Sequence, residues 1–192
     1  MQSYYENDWR NLVNPIEAAE EALEIIKQGK AVAFIGSGVS MGFYPSWEEI
    51  IKKLCEKCGI KFKEGSSSEE FIKIAEDCKQ KNEKMYYNTL IQLLGKEPPV
   101  VRRTYILLLS LPFKGYITIN LDPMLATGAR DLKGIHQPFV YPSLPYNKLN
   151  NGQVFYIHGF LGSSGCKSKK LFFLSLNSKR LMIIPIVFSL VF

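Results

Sequence analysis

Residues 31–40 read Ala31-Val32-Ala33-Phe34-Ile35-Gly36-Ser37-Gly38-Val39-Ser40. Five consecutive apolar residues are too few for a helix with its own core face. The lack of polar alternation marks a strand buried on both faces, as parallel sheets require. The run passes directly into two glycines and two serines, a composition that turns the chain and leaves backbone amides accessible. Upstream, Asn14-Pro15-Ile16-Glu17 supplies an Asn cap, a proline at the first helical position and a Glu three residues after the cap. That helix extends to about Gln28 and stops at Gly29. A helix, a short buried strand and a glycine turn in that order predict an α/β domain.

The rest of the chain continues the alternation. Ser46-Trp47-Glu48-Glu49 is a capping box, and Trp47, Ile50, Ile51, Leu54, Cys55 and Cys58 then recur at spacings of three and four, an amphipathic helix. Residues 61–68 form a polar loop. Helices follow over 68–81, with Phe71, Ile74, Ala75 and Cys78 on one face, and over 83–94, ending at Gly95. Pro98-Pro99 breaks the chain before a further helix over 100–110. The β-rich run at 115–119 is the second strand and 154–157 the third, with 139–141 a weaker strand. Strands interleaved with helices predict a Rossmann-like parallel sheet flanked by helices. No internal repeat is present.

Charge narrows the function classes. The chain has 192 residues, a size for one domain, and a formal charge of +6. Five of its 24 basic residues and none of its 18 acids lie in 166–192, so residues 1–165 balance to +1. No basic stripe for a phosphate backbone remains, and a nucleic-acid partner is not expected. The first ten residues have no basic start followed by an apolar run, so no secretory signal opens the chain, and a reducing cytoplasm with free thiols is the expectation. The apolar stretch 181–192 is shorter than the ~20 residues of a membrane-spanning helix, so no membrane partner is expected. Assembly into a homo-oligomer is left open.

Three short motifs each follow a strand. Gly36-Ser37-Gly38-Val39-Ser40 leaves the first, Asn120-Leu121-Asp122 the second and His158-Gly159 the third. In open parallel sheets ligands bind outside the carboxyl ends of the strands, so all three should face one crevice. Each has two readings. The glycines either present amides to a pyrophosphate or simply make a tight turn. The dehydrogenase fingerprint is not met, since Met41 stands where its third glycine belongs and no acidic strand end follows some 20 residues on. Asp122 either meets a ligand or caps the helix beginning at Pro123-Met124. Asn120 has less local use, and its carboxamide offers a donor and an acceptor to a ribose or a water. His158 is either a structural imidazole or the one general base at hand. The other histidine, His136, lies in a loop-like stretch.

Taken as an ordered triple, the Gly-x-Gly-x-Ser loop, the Thr118-Ile119-Asn120-Leu121-Asp122 segment and His158-Gly159 resemble the sirtuin family. They are closest to the sirtuin-like NAD hydrolase domains of bacterial anti-phage defence proteins. Pro45-Ser46-Trp47-Glu48-Glu49 is similar to the helix entry of that branch, as is Leu111-Pro112-Phe113 ahead of the second strand. The 38-residue separation of Asn120 from His158 is likewise similar. The resemblance covers roughly 18–162. It implies NAD as the substrate, with Gly36, Ser37, Gly38 and Ser40 along the pyrophosphate and ribose. Asn120 would position the nicotinamide ribose and the attacking water, and Asp122 would bond ribose hydroxyls. His158 would act as base toward a ribose hydroxyl, with Gly159 beside it allowing close approach. Breaking the N-glycosidic bond passes through an oxocarbenium-like ribose, for which a dry pocket, held hydroxyls and one polarised nucleophile suffice without a metal.

The departures from the family sharpen the expectation. Deacylating sirtuins carry a four-cysteine zinc module after His-Gly, whereas here only Cys166 follows. Cys55-x-x-Cys58 lies on the apolar stripe of one helix and Cys78 on that of another, so core thiols and no zinc are expected. Without that module, NAD hydrolysis is favoured over deacylation, with a non-catalytic NAD or ADP-ribose binding module as the alternative. The chain divides into a sirtuin-like domain at 1–165 and an atypical basic and apolar tail at 166–192. The tail matches nothing in the family's C-terminal strands, so the sheet is expected to be incomplete there, as in a truncated or frame-shifted frame. The tail is expected to contribute nothing to the site.

Overall fold

The computed structural model describes residues 14–141, 152–162 and 165–166. Six α-helices and six strands are described along it. They are α1 Pro15–Lys27, β1 Val32–Ile35, α2 Trp47–Cys58, α3 Ser68–Lys81, α4 Glu83–Leu94, α5 Arg103–Ser110, β2 Gly115–Thr118, α6 Met124–Lys133, β3 Phe139–Val140, β4 Gln153–Tyr156, β5 Leu161–Gly162 and β6 Gly165–Cys166. The first four strands form one sheet in the order β1-β2-β4-β3, every pair parallel, and β5 and β6 make a small antiparallel pair. The fold is mixed α/β, a four-stranded parallel sheet flanked by helices, compatible with a Rossmann-like arrangement.

Local chemistry sets the helix ends. The Asn14 side chain accepts from the Ile16 amide at 3.0 Å. Ser46 and Ser67 each open a helix with a reciprocal capping box, to Glu49 and Glu70 respectively. The second of these boxes is not singled out by the sequence reading. Helix α5 begins at Arg103, three residues later than expected. Arg102 keeps an extended backbone, its guanidinium donates to the Met41 carbonyl, and Val100 is exposed.

Helices α2, α3 and α4 pack on one another between β1 and β2, and β5 packs on α4. Cys55, Cys58 and Cys78 are free, buried thiols in this cluster. Burial raises the Cys78 thiol to about 12. Helices α5 and α6 pack together, and α6 lies against the sheet through Tyr156, whose hydroxyl donates to the Asp122 carbonyl and accepts from the Ala126 amide. That face of the sheet, made of Ala33, Ile35, Tyr116, Thr118, Val154 and Tyr156, is buried throughout.

The other face differs from expectation. Along β1, Ile35 is 3% exposed but its neighbour Phe34 is 41% exposed. The strand is therefore buried on one face only. Successive side chains point to opposite faces, and β1 is the edge of the sheet. Among the described residues no helix is long and apolar enough to cross a membrane. The boundary expected between 165 and 166 runs through β6, and the remainder of the tail lies outside the described residues, as do the first thirteen residues.

Candidate functional site

The register of the sheet brings the three motifs to one edge. Ile35 pairs with Thr118 and Thr118 with Tyr156, so the last residues of β1, β2 and β4 stand side by side. Backbone bonds continue past the strands. The Ile119 amide donates to the Ile35 carbonyl at 3.4 Å, and the Ile157 amide to the Thr118 carbonyl at 3.1 Å. The Leu161 amide then donates to the Leu121 carbonyl at 2.9 Å. His158 and Gly159 are thus held between two ties to the segment that carries Asn120.

Thr118 explains why Asn120 sits where it does. Its hydroxyl donates to the Ile35 carbonyl at 2.9 Å and accepts from the Asn120 amide at 3.0 Å. A β-branched residue at a strand end thereby pins the next turn to the neighbouring strand. The Asn120 side chain, 7% exposed, donates through Nδ2 to the Gly36 carbonyl at 3.2 Å and to Ser40 Oγ at 3.3 Å. Its Oδ1 is buried and meets no partner among the described residues. The first and second motifs are therefore joined by direct hydrogen bonds.

The glycine loop needs a correction. Residues Ser37–Ser40 form a single 3-10 turn, and Gly36 has φ −102° and ψ 179°, ordinary extended backbone. Neither Gly36 nor Gly38 adopts positive φ, so neither is required by its dihedral angles. A Cβ at either position would meet no atom within 4 Å. These glycines keep space clear above the loop, while Ser37 and Gly38 are exposed and Ser40 is buried beneath them. Gly159 behaves differently: its φ of 108° is a conformation other residues rarely adopt.

Asp122 lies one residue ahead of the N-cap Pro123, and its Oδ1 accepts from the Met124 amide at 3.1 Å. Burial pushes its carboxyl up to about 6, partly offset by that bond and by the nearby Ser40 hydroxyl. His158 is half-buried, and burial lowers its imidazole below the ordinary 6.5. Its ring is consequently neutral at neutral pH, the state in which a base can take a proton.

No protein-family model matches the chain, and no curated sequence matches it.

Three tyrosines belong to the site though the motifs do not name them. Tyr105 of α5 is fully buried, with its hydroxyl 2.8 Å from Ser40 Oγ. Tyr156 ties β4 to the start of α6. Tyr44 donates to the Lys96 carbonyl at 2.7 Å. Burial holds all three hydroxyls protonated well above the usual phenol range, and the nearby Asp122 charge adds to it. Tyr105 had a legible signal: a phenol on the buried side of an otherwise Leu-rich helix must find a polar partner. Among the described residues no group of three His, Cys, Asp or Glu could hold a metal ion.

Proposed function

We propose that this chain binds NAD at the carboxyl edge of its sheet and hydrolyses the nicotinamide–ribose bond, in the manner of the sirtuin-like NAD hydrolases that its motifs resemble. The observation carrying this reading is the aligned ending of β1, β2 and β4, with the Asn120 carboxamide bonded to the glycine loop and its Oδ1 unpartnered. A buried acceptor without a donor costs about 1–3 kcal/mol. A ribose hydroxyl or a water supplies the missing donor.

In this reading Gly36, Ser37, Gly38 and Ser40 border the pyrophosphate and its ribose, where the cleared space admits backbone contact. Asp122 bonds ribose hydroxyls and Gly159 admits the ligand beside His158. The ribose–nitrogen bond breaks with its electron pair leaving on nicotinamide, which neutralises the pyridinium. The water oxygen bonds to the ribose carbon, and one proton is released. Asn120 orients that water, and His158, kept neutral by its lowered pKa, takes a proton from a ribose hydroxyl that recovers one from the attacking water, so the released proton leaves through the imidazole. Buried, preorganised groups stabilise the developing ribose cation better than water does. The resemblance implies a setting in defence against phage, which a fall in cellular NAD on infection would support.

The test is nicotinamide release from NAD by wild type, His158→Ala and Asn120→Ala. Release by wild type, reduced at least a hundredfold in both variants, is expected. Equal turnover by all three proteins would overturn the assignment. Tight NAD binding in calorimetry with no product over hours would favour the binding-module reading. That reading draws on Asn120 spending both amide hydrogens on its own chain.

A further inference from the structure

We infer that Tyr105 is a positioning residue: through Ser40 its buried hydroxyl holds Asn120 in the orientation that leaves Oδ1 free for a ligand. The inference rests on the proposed NAD hydrolysis for its effect on rate, and on hydrogen-bond geometry for the network itself.

Counting hydrogens narrows the direction of each bond. Asn120 Nδ2 has two hydrogens and spends one on the Gly36 carbonyl and one on Ser40 Oγ. The Ser40 hydroxyl has a single hydrogen, and Ser40 also helps to lower the carboxyl of nearby Asp122. In the 2.8 Å contact between Ser40 and Tyr105 either hydroxyl can donate, and the phenol is the donor when Ser40 turns its hydrogen toward Asp122. Ser40 Oγ then accepts from both Asn120 and Tyr105. Tyr105 stays protonated throughout the working pH range, because burial raises its hydroxyl far above neutrality. Bonds in such a chain polarise one another, so removing the first donor weakens the last bond as well.

The consequence is specific to Asn120. A serine that lost its bond to Tyr105 could rotate about its side-chain torsion and leave Nδ2 held by the Gly36 carbonyl alone. The carboxamide would then sample other orientations, and Oδ1 would no longer be fixed for a water or a ribose hydroxyl. A positioning error of this kind lowers the rate at saturation more than it weakens binding.

Tyr105→Phe keeps the ring in the core and deletes only the hydroxyl. The experiment is a double-mutant cycle with Ser40→Ala, read by nicotinamide release and by NMR titration of the Asp122 carboxyl in the free protein. With Ser40 present, Tyr105→Phe is expected to lower kcat about tenfold, the worth of one hydrogen bond, with KM within about twofold. It is also expected to raise the Asp122 midpoint. In the Ser40→Ala background, both effects should vanish. Equal effects in both backgrounds, or an unchanged Asp122 titration with Ser40 present, would overturn the inference. A wild-type protein that releases no nicotinamide would overturn the proposed function instead, and the carboxyl titration would still decide the network.

Discussion

The Asp122 carboxyl titrates at about 6 because burial outweighs its hydrogen bonds. Well below pH 3.8 it is neutral in folded and unfolded chains alike and costs nothing. Between 3.8 and about 6 the unfolded chain ionises first, so stability falls with rising pH. At neutral pH the cost is on the order of 3 kcal/mol. Asp122→Asn keeps an acceptor for the Met124 amide and removes the ionisation. Thermal melts should show the variant more stable than wild type at about pH 8 and level with it well below pH 3.8, and a gap independent of pH would refute this. His158 works in the opposite sense. Its lowered pKa means that protonation at falling pH removes the neutral base, so the acid limb of kcat/KM should lie below pH 6.5. That limb should persist in Asp122→Asn, whose own titration is gone. The glycines divide by the same residue-level logic. Gly159→Ala forces a side chain into φ 108° and should cost at least about 1–2 kcal/mol in denaturant melts. Gly36→Ala and Gly38→Ala meet open space and ordinary dihedrals, so they should leave stability within about 0.5 kcal/mol while weakening NAD binding.

Among the elements, helices were the more legible. Asn14 and Ser46 announce helix starts through the orphan amides that their side chains satisfy, and Gly95 marks a stop. Accordingly α1, α2, α3 and α4 fall within a residue or two of the expected spans. The start of α5 was not legible, because Arg102 makes no capping bond and its guanidinium donates instead to the Met41 carbonyl, far away in sequence. The four strands of the parallel sheet were found, the short pair β5 and β6 was not, and the partial exposure of β1 was hidden, since an apolar run looks the same whether one face or both are covered. At the site, the three motifs could be placed at strand ends from local pattern. Tyr105 signals that its phenol needs a polar partner, but nothing local identifies that partner as Ser40, 65 positions away. The capping boxes provide the element-level prediction. Ser46→Ala and Ser67→Ala should each cost about 1 kcal/mol of stability in urea melts, because each removes an acceptor for the third helical amide. Changes under about 0.3 kcal/mol at both would show that the ends are held by tertiary packing instead.

For the molecule as a whole, one face of the sheet is covered throughout, while the other is open at its β1 edge, where Phe34 is exposed, and closed at β4, where Phe155 is buried. Ile35→Ala should cost about 2–4 kcal/mol, as loss of a packed core side chain does. Phe34→Ala, one residue away on the exposed face, should cost less than about 1 kcal/mol. Comparable losses at both positions would mean that Phe34 is covered in solution.

The joining of distant strand ends also governs how the protein acquires its site during folding. Thr118 to Ile35 is a contact across 83 positions, and Asn120 to Gly36 one across 84. Helices α2, α3 and α4 adjoin in sequence and meet through local contacts. Local contacts close quickly, whereas distant ones wait for large loops to close. During refolding from urea, helical circular dichroism should therefore recover before NAD binding does, and a chain stopped between β1 and β2 would hold a helical cluster but no site. Ligand binding thus serves as a late clock for the assembly of this sheet.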